Sequence, residues 1–584
     1  MIEIRDFSCA YNDQAKQLLQ QINLSIPFGQ FVAVIGPSGG GKSTLCFSVN
    51  GLIPNEIEGS VIQGSITVNG RNVQQTPPHE LISIVGTVLQ DPEWQLVRST
   101  VQEELVFPLE NLGMSPEQID HRLERVLDQI DVRPLLHRSP LELSGGQKQL
   151  VAIAGCLMLE PKVIVLDEPT AELDPLGKEM VIQTIRHLNK KWNYTVIFVD
   201  HNLDVTLPYA DRVLVIEEGK LIADSHPSRL YETEGLERLP MPQVVEIAKR
   251  MKLKVLRENL ASDPLTVTEL LNEMLRTEAY PVKHNHSKAQ SVMPSNKQAP
   301  IQPLIELKKV SFAYRSYNVE ELALKSVDFT VRQGEFVALI GQNGSGKTTL
   351  CKLITGLLKP DGGEIIIRGK AQSSYRANEM IQSVGYVFQN PDYQLFKQTV
   401  YDEIAFGLKL QKLGKAEITS RVEEVASLLQ IDRHLKEHPH FLSRGERRRV
   451  AIASILALRP AAIILDEPTT GLDGLRCRLM MDYIQMLWKK GVTILLLTHD
   501  MRVVADYVPR TVVMSKGTIM MDDTTESVFS RLQELRQCRI TPPPVVQLTS
   551  SLGWTVPALT ADQFVERMVS KAGHMDRFQE SELL

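Results

Sequence analysis

Two glycine-rich loops, Gly36-Pro-Ser-Gly39-Gly-Gly41-Lys42-Ser43 and Gly341-Gln-Asn-Gly344-Ser-Gly346-Lys347-Thr348, each close on a lysine and a hydroxyl residue. Glycines at this spacing let backbone N–H groups turn inward around phosphate oxygens. The lysine neutralises β/γ charge and the hydroxyl can ligate Mg2+. Gly36, Gly39, Gly41, Lys42, Ser43 and the adjoining Thr44 are candidate nucleotide contacts, as are Gly341, Gly344, Gly346, Lys347, Thr348 and Thr349. Two acid pairs, Asp167-Glu168 and Asp466-Glu467, end apolar runs. An aspartate there sits beside the phosphates and holds Mg2+, while the next glutamate can orient and polarise an attacking water. Ser43, Asp167, Thr348 and Asp466 are thus candidate metal ligands, and Glu168 and Glu467 candidate catalytic residues. A third pair, Leu143-Ser144-Gly-Gly146-Gln147 and Leu442-Ser443-Arg-Gly445-Glu446, precedes Ala/Leu/Ile-rich stretches. A serine with glycines at a helix start can hold an anion. An ordinary N-cap explains Ser144 alone as well, but not the pentapeptide's place some twenty residues before an Asp-Glu strand.

These groups need a scaffold. Phe31–Ile35 and Phe336–Ile340 are short, β-branched apolar runs leading straight into the loops, and helices are expected from Ser43 and Thr348 onward. Strand, glycine loop and helix is the context that separates a P-loop from a chance glycine cluster. Val163–Asp167 and Ala462–Asp466 read as buried strands, and Leu150–Leu159 as a helix. The apolar runs Thr195–Val199 and Val492–Leu497 also read as strands, preceding His201 and His499.

Every motif recurs in the same order about 300 residues later, so one module has been copied whole. The copy extends to Pro242-Gln-Val-Val-Glu-Ile and Pro543-Pro-Val-Val-Gln-Leu, each followed by a short helix-periodic stretch that predicts a small helical tail. Residues 283–303 are polar, Pro/Ser-rich and aperiodic, as a flexible linker is. Such a coil spans roughly 25 Å, enough for two domains to pair within one chain. His284 and His286 in this stretch read as solvated, not as metal ligands. The expected layout is a nucleotide domain at 1–230 with an extension at 231–282, the linker at 283–303, and a second domain at 304–535 with an extension at 536–584.

Of the 584 residues, 43% are hydrophobic and 23% charged, and the net charge is −6. That is an ordinary globular composition, neither disordered nor collagenous. The mild acidity argues against bulk phosphate-backbone binding, so no nucleic-acid partner is expected. No apolar run approaches the roughly 20 residues that cross a bilayer, and no secretory signal is visible at the start. The six cysteines show neither paired nor metal-like spacing and read as buried or free thiols of a reducing compartment.

P-loop, LSGGQ and LDEPT in this order resemble the nucleotide-binding domain of ABC (ATP-binding cassette) ATPases. The resemblance covers nearly the whole chain except the linker. It implies an α/β fold of two P-loop NTPase domains in tandem, each with a helical signature subdomain, with ATP and Mg2+ as ligands. It implies further roles one by one. Tyr11 and Tyr314 match the aromatic that stacks on adenine, although a core tyrosine on an early strand is the plainer alternative. Gln90 and Gln389 match the glutamine that touches Mg2+ and water. Asp174 and Asp473 match the D-loop, and His201 and His499 match the switch histidine at the γ-phosphate. In this family, domains pair head to tail, each ATP lying between one P-loop and the facing signature. One site would then join Lys42, Ser43, Gln90, Glu168 and His201 to Ser443 and Gly445. The other would join Lys347, Thr348, Gln389, Glu467 and His499 to Ser144 and Gly146. Arg444 and Glu446 depart from the pattern. The site using Ser443 is expected either to turn over more slowly or to tolerate Arg444 as a surface variant.

The segments after the glutamines, Gln90-Asp-Pro-Glu-Trp-Gln95-Leu-Val-Arg-Ser-Thr100 and Gln389-Asn-Pro-Asp-Tyr-Gln394-Leu-Phe-Lys-Gln-Thr399, resemble those of energy-coupling factor (ECF) importers. That resemblance implies a transmembrane T component docking at the glutamine loops and a separate S component binding the cargo. It also implies a peripheral position on the cytoplasmic face of a prokaryotic membrane. The fusion of two ATPases resembles transporters thought to carry thiamine or its hydroxymethylpyrimidine precursor. The alternatives fit less well. A ribosome-acting tandem ABC factor usually has a long, charged interdomain helix. A tandem sugar-import ATPase often has one degraded P-loop, and a DNA-repair tandem ABC protein needs zinc cysteines.

Overall fold

The structure is a computed structural model that describes residues 1–11, 18–37, 39–55, 60–171, 173–232, 236, 239–251, 264–276, 303–316 and 319–570. The predicted linker up to residue 302, with His284 and His286, and residues 571–584 of the predicted second extension lie outside the described residues. The chain divides into two compact units, Met1–Glu273 and the greater part of Met274–Leu584.

In the first unit a six-stranded sheet runs in the spatial order Lys220–Ser225, Arg212–Glu217, Phe31–Ile35, Thr195–Val199, Val163–Asp167, Val85–Val88. Its five inner and far strands are parallel, and Lys220–Ser225 is an antiparallel edge. The central strands carry no polar alternation because both faces are covered. Phe31, Ala33 and Ile35 enter one buried cluster, and Val32 and Val34 enter the other. An antiparallel four-stranded sheet, ordered Leu19–Ile26, Ile2–Tyr11, Ser60–Val68, Arg71–Asn72, accompanies it.

The second unit repeats this plan. Its six strands run Val384–Val387, Ala462–Asp466, Thr493–Leu497, Phe336–Ile340, Arg510–Ser515, Thr518–Thr524. A second four-stranded sheet is formed by Val319–Arg332, Pro303–Ser316, Gly362–Ile367 and Lys370–Ala371. In both units the chemistry-bearing residues follow the carboxyl ends of parallel strands, where open α/β sheets hold ligands.

The helical tails are also found. Gln243–Met251 and Val267–Arg276 close the first repeat. Pro544–Ser551 and a helix over 561–570 close the second. Some boundaries differ from expectation: Pro303, counted in the linker, opens the strand Pro303–Ser316, and the strand expected from Val492 begins at Thr493. The helix after the first signature spans Gly145–Leu157, starting five residues before Leu150. Ser144 and Gln147 form a reciprocal capping box that satisfies the first N–H groups, so the signature glycines join the first turn despite their poor helix propensity. Cys9, Cys46, Cys156, Cys351 and Cys538 are buried free thiols, and burial pushes the Cys156 thiol up to about 12. Among the described residues no helix is long and apolar enough to cross a membrane.

Candidate nucleotide sites

Each glycine loop follows its strand directly. Lys42–Val49 and Lys347–Ile354 are the helices that open after them. Gly36 and Gly341 have φ of 142° and 152°. A Cβ there would lie 2.0 Å from the Ile216 carbonyl oxygen and 2.3 Å from that of Met514, so only glycine fits. The lysine ammonium groups curl back into the loops. Lys42 Nζ donates to the carbonyls of Gly36 (3.0 Å) and Pro37 (2.9 Å). Lys347 Nζ donates to Gly341 (2.7 Å) and Gln342 (2.8 Å). Both cations are buried at the loop mouth.

The acid pairs end the second strand over, beyond the strand that leads to the histidine. Asp167 pairs in register with Val199, and Asp466 with Leu497, which sets the strand ends bearing His201 and His499 beside them. Burial raises the Asp167 carboxyl above its ordinary value, with the Ser43 hydrogen bond pulling the other way. Burial raises Asp466 too, against hydrogen bonds from Tyr386 and Thr348. Tyr386 donates to Asp466 Oδ2 at 2.6 Å, and Thr348 Oγ1 lies 3.5 Å from the same oxygen.

The chain turns sharply after each aspartate. Glu168 and Glu467 have φ of 51° and 49°, a left-handed conformation that costs energy for a residue with a side chain. Each N–H is anchored, Glu168 to the Val199 carbonyl and Glu467 to that of Leu497, both at 3.0 Å. Both carboxylates meet the expected histidine, with His201 Nε2 2.7 Å from Glu168 Oε1 and His499 Nδ1 2.8 Å from Glu467 Oε1. Burial alone would raise Glu467, but His499, Lys347 and Thr470 together outweigh it and hold the carboxyl below its ordinary value. Thus in each unit the structure brings the loop lysine, the aspartate, the glutamate and the histidine to one end of the sheet.

Gln90 and Gln389 follow the strands Val85–Val88 and Val384–Val387. Tyr314 is partly exposed, with its hydroxyl 3.2 Å from Thr349 Oγ1 at the P-loop helix. The Tyr11 side chain lies outside the described residues. Asp174 caps the helix Pro175–Trp192 by accepting the Gly177 N–H at 2.8 Å, and Asp473 directly precedes the helix Gly474–Lys489.

The two signatures differ in their hydrogen bonds. In the first, Ser144 Oγ accepts the Gln147 N–H at 3.3 Å, and Gln147 Oε1 accepts the Ser144 N–H at 3.0 Å. In the second, Ser443 Oγ also donates to Glu446 Oε2 at 2.7 Å. Glu446 lies among Arg433 (3.3 Å), His434 (3.2 Å) and Arg449 (3.9 Å). Burial pushes its carboxyl up, but the Ser443 bonds, together with His434 and Arg449, bring it below its ordinary value.

Sequence reasoning missed several contributors. Tyr386, the partner of Asp466, stands where the first unit's strand has Thr87, and a mid-strand aromatic carries no signal of that bond. Glu104 Oε2 accepts the N–H groups of Val97 and Arg98, both at 2.7 Å, and Glu403 Oε2 those of Phe396 (2.8 Å) and Lys397 (2.7 Å). The recurrence of an acid at matching places in the two copies could have revealed that pair.

Mg2+ is the metal these residues would suit. Asp167 Oδ1 is buried with no hydrogen-bond partner, an oxygen left over for a hard cation. Carboxylate, hydroxyl and amide oxygens are the donor chemistry Mg2+ takes.

This arrangement of sheet, loop, acid pair and signature helix is that of an ATP-hydrolysing cassette, present twice. Residues 19–171 and 324–470 match the family described as ABC transporter, and the chain belongs to it. A provisionally named ABC transporter ATP-binding protein of Methanosarcina acetivorans is 38% identical over 95% of this chain and 91% of its own length. A similarly named protein of Caldanaerobacter subterraneus is 37% identical, covering 97% of this chain and 98% of that one. Among solved structures, cbiO1 from Clostridium perfringens, described as part of the ABC transporter complex cbiONQ, is 32% identical. The match covers 42% of this chain and 99% of that one, with a TM-score of 0.37. The chain is therefore a tandem ABC ATPase, of a family that binds ATP with Mg2+.

Proposed function

We propose that this chain is the ATP-hydrolysing motor of an ECF-type importer, peripheral on the cytoplasmic face of the membrane. In this reading a T component docks at the glutamine loops, and an S component binds a vitamin-like or metal micronutrient. Thiamine or hydroxymethylpyrimidine is the cargo that the fused architecture favours. The observation that carries the reading is an apolar display after each glutamine. Trp94 and Tyr393 are each 82% exposed, with Val97 and Phe396 exposed beside them. Large apolar side chains clustered in water mark a partner surface, and this one occurs at the same place in both units.

The chemistry follows from the residues. ATP phosphates replace the loop carbonyls as partners of Lys42 and Lys347. Ser43, Asp167 and Gln90 would hold Mg2+ in one unit, and Thr348, Asp466 and Gln389 in the other. When bound, the ion neutralises charge on the β/γ oxygens. Glu168 and Glu467, held by His201 and His499, orient water for in-line attack. Tyr11 and Tyr314 support the adenine. Ser144 with Gly146 and Ser443 with Gly445 are the signature contacts for a γ-phosphate, and Asp174 and Asp473 the D-loop residues. Closure on ATP and reopening after hydrolysis would pass to the T component through the docking surfaces.

The test is affinity purification of the full chain from detergent-solubilised membranes, with the copurifying proteins identified. A polytopic T component and a small substrate-binding membrane subunit are expected. Recovery with ribosomes instead would overturn the proposal.

A further inference from the structure

At matching places in the two copies, a glutamate outside the acid pairs is buried without an ion pair among the described residues. Glu104 is 7% exposed and Glu403 is 3% exposed. A buried charge persists only where hydrogen bonds compensate it. Each uses one oxygen to accept two successive N–H groups from the loop ahead of its own helix, at 2.7–2.8 Å. Ordinary capping is done by a different pair. Thr100 caps its helix with Glu103, and Thr399 accepts the Asp402 N–H. Glu104 and Glu403 are therefore surplus to helix capping.

What they fix is the exposed loop tip. The four N–H groups belong to Val97, Arg98, Phe396 and Lys397. The Arg98 guanidinium sits 3.8 Å from the Phe107 ring centre, and the Lys397 ammonium 4.2 Å from that of Phe406. Upstream, Gln95 Oε1 accepts the Leu89 N–H at 2.9 Å and Gln95 Nε2 donates to the Thr87 carbonyl at 3.3 Å. Gln394 Oε1 accepts the Phe388 N–H at 3.4 Å. Leu89 and Phe388 immediately precede Gln90 and Gln389. Two or fewer residues of backbone join each tip to the folded-back glutamine, whose amide oxygen holds the residue before the candidate Mg2+ contact. In the second unit Gln394 Nε2 also donates to the Ala451 carbonyl (2.8 Å) and Ser454 Oγ (3.0 Å) of the signature helix.

We propose that Glu104 and Glu403 are positioning residues that make the exposed tip and Gln90 or Gln389 move as one body, so that a displacement of the tip reaches the metal-contacting amide. This rests on the reading of Gln90 and Gln389 as Mg2+ contacts. Glutamine at either position keeps the shape but replaces charge-assisted hydrogen bonds with neutral ones of about half the strength.

The experiment compares the full wild-type chain with Glu104→Gln/Glu403→Gln and with Thr100→Ala/Thr399→Ala, which removes helix capping alone. In the nucleotide-free protein, amide hydrogen exchange over residues 89–98 and 388–397 should quicken about tenfold or more in the carboxylate variant and not in the capping variant. In a Mg2+ titration of ATP hydrolysis, the half-saturating Mg2+ should rise about fivefold in the carboxylate variant only. Faster exchange confined to Val97, Arg98, Phe396 and Lys397, or an unchanged Mg2+ dependence, overturns the proposal. So does an equal shift in the capping variant. A wild-type chain without Mg2+-dependent hydrolysis overturns instead the site reading beneath it, while the exchange comparison still reports on the tie.

Discussion

At the scale of single residues, the site is built from groups held where they would not sit unaided. Lys42 and Lys347 are buried cations partnered by loop carbonyls, and Glu168 and Glu467 occupy a left-handed backbone conformation. The left-handed conformation costs of order 1–3 kcal/mol at each glutamate and persists where surrounding structure enforces it. Removing both ammonium groups leaves nothing in the loops to neutralise the phosphates. Lys42→Ala with Lys347→Ala should reduce steady-state ATP hydrolysis by more than about a hundredfold, measured as phosphate release. Retained turnover would refute the lysine assignment. Glu446 gives a pH prediction. Its folded carboxyl lies below the ordinary value of 4.5, so its charged form stabilises the fold. That contribution is complete above the unfolded value and is lost as pH falls through the depressed one. Glu446→Gln should therefore melt a few degrees lower at pH 7, and the gap should close in more acid buffer. A gap independent of pH would remove charge as the cause.

At the scale of elements, the signature helices show how a local rule sets a functional position. The Ser144–Gln147 capping box places Ser144 at the helix start with its backbone and hydroxyl together at one end. Ser144→Ala should cost about 1 kcal/mol of stability, read by urea denaturation, beyond its effect on hydrolysis. A stability equal to wild type would leave the cap without energetic weight. The strands, P-loops and acid pairs were legible because their chemistry demands fixed residue types at fixed short spacing, and their repetition made chance untenable. The start of the signature helix was not, because Gly145 and Gly146 argue against helix until the cap is counted. The tie from Glu104 to Val97 and Arg98 was hidden for another reason. A carboxylate meeting backbone N–H groups leaves no complementary residue type in the sequence. The Tyr386–Asp466 bond joins neighbouring strands far apart in the chain, a pairing that no local pattern encodes.

At the scale of the whole molecule, the chain carries two copies of one cassette that have diverged at the chemistry. Thr87 in one copy corresponds to Tyr386 in the other, and Gln147 to Glu446. Asp167 keeps an oxygen without a partner, whereas Asp466 is bonded by Tyr386. Ser443 gives its hydroxyl hydrogen to a carboxylate, a donor that a phosphate would otherwise receive. Arg433 and Arg449 lie 3.3 and 3.9 Å from that carboxylate and offset its charge, so the engaged hydroxyl hydrogen is what weakens this signature. If each signature serves the opposite P-loop, the nucleotide at Lys42 meets the weaker one and should turn over more slowly. Glu168→Gln and Glu467→Gln, made separately, decide this. The site that Glu467 serves should carry most of the turnover, so Glu467→Gln should lower the phosphate-release rate several-fold more than Glu168→Gln. Equal losses would mean that the two copies, though different in sequence at the signature, hydrolyse as one coupled pair.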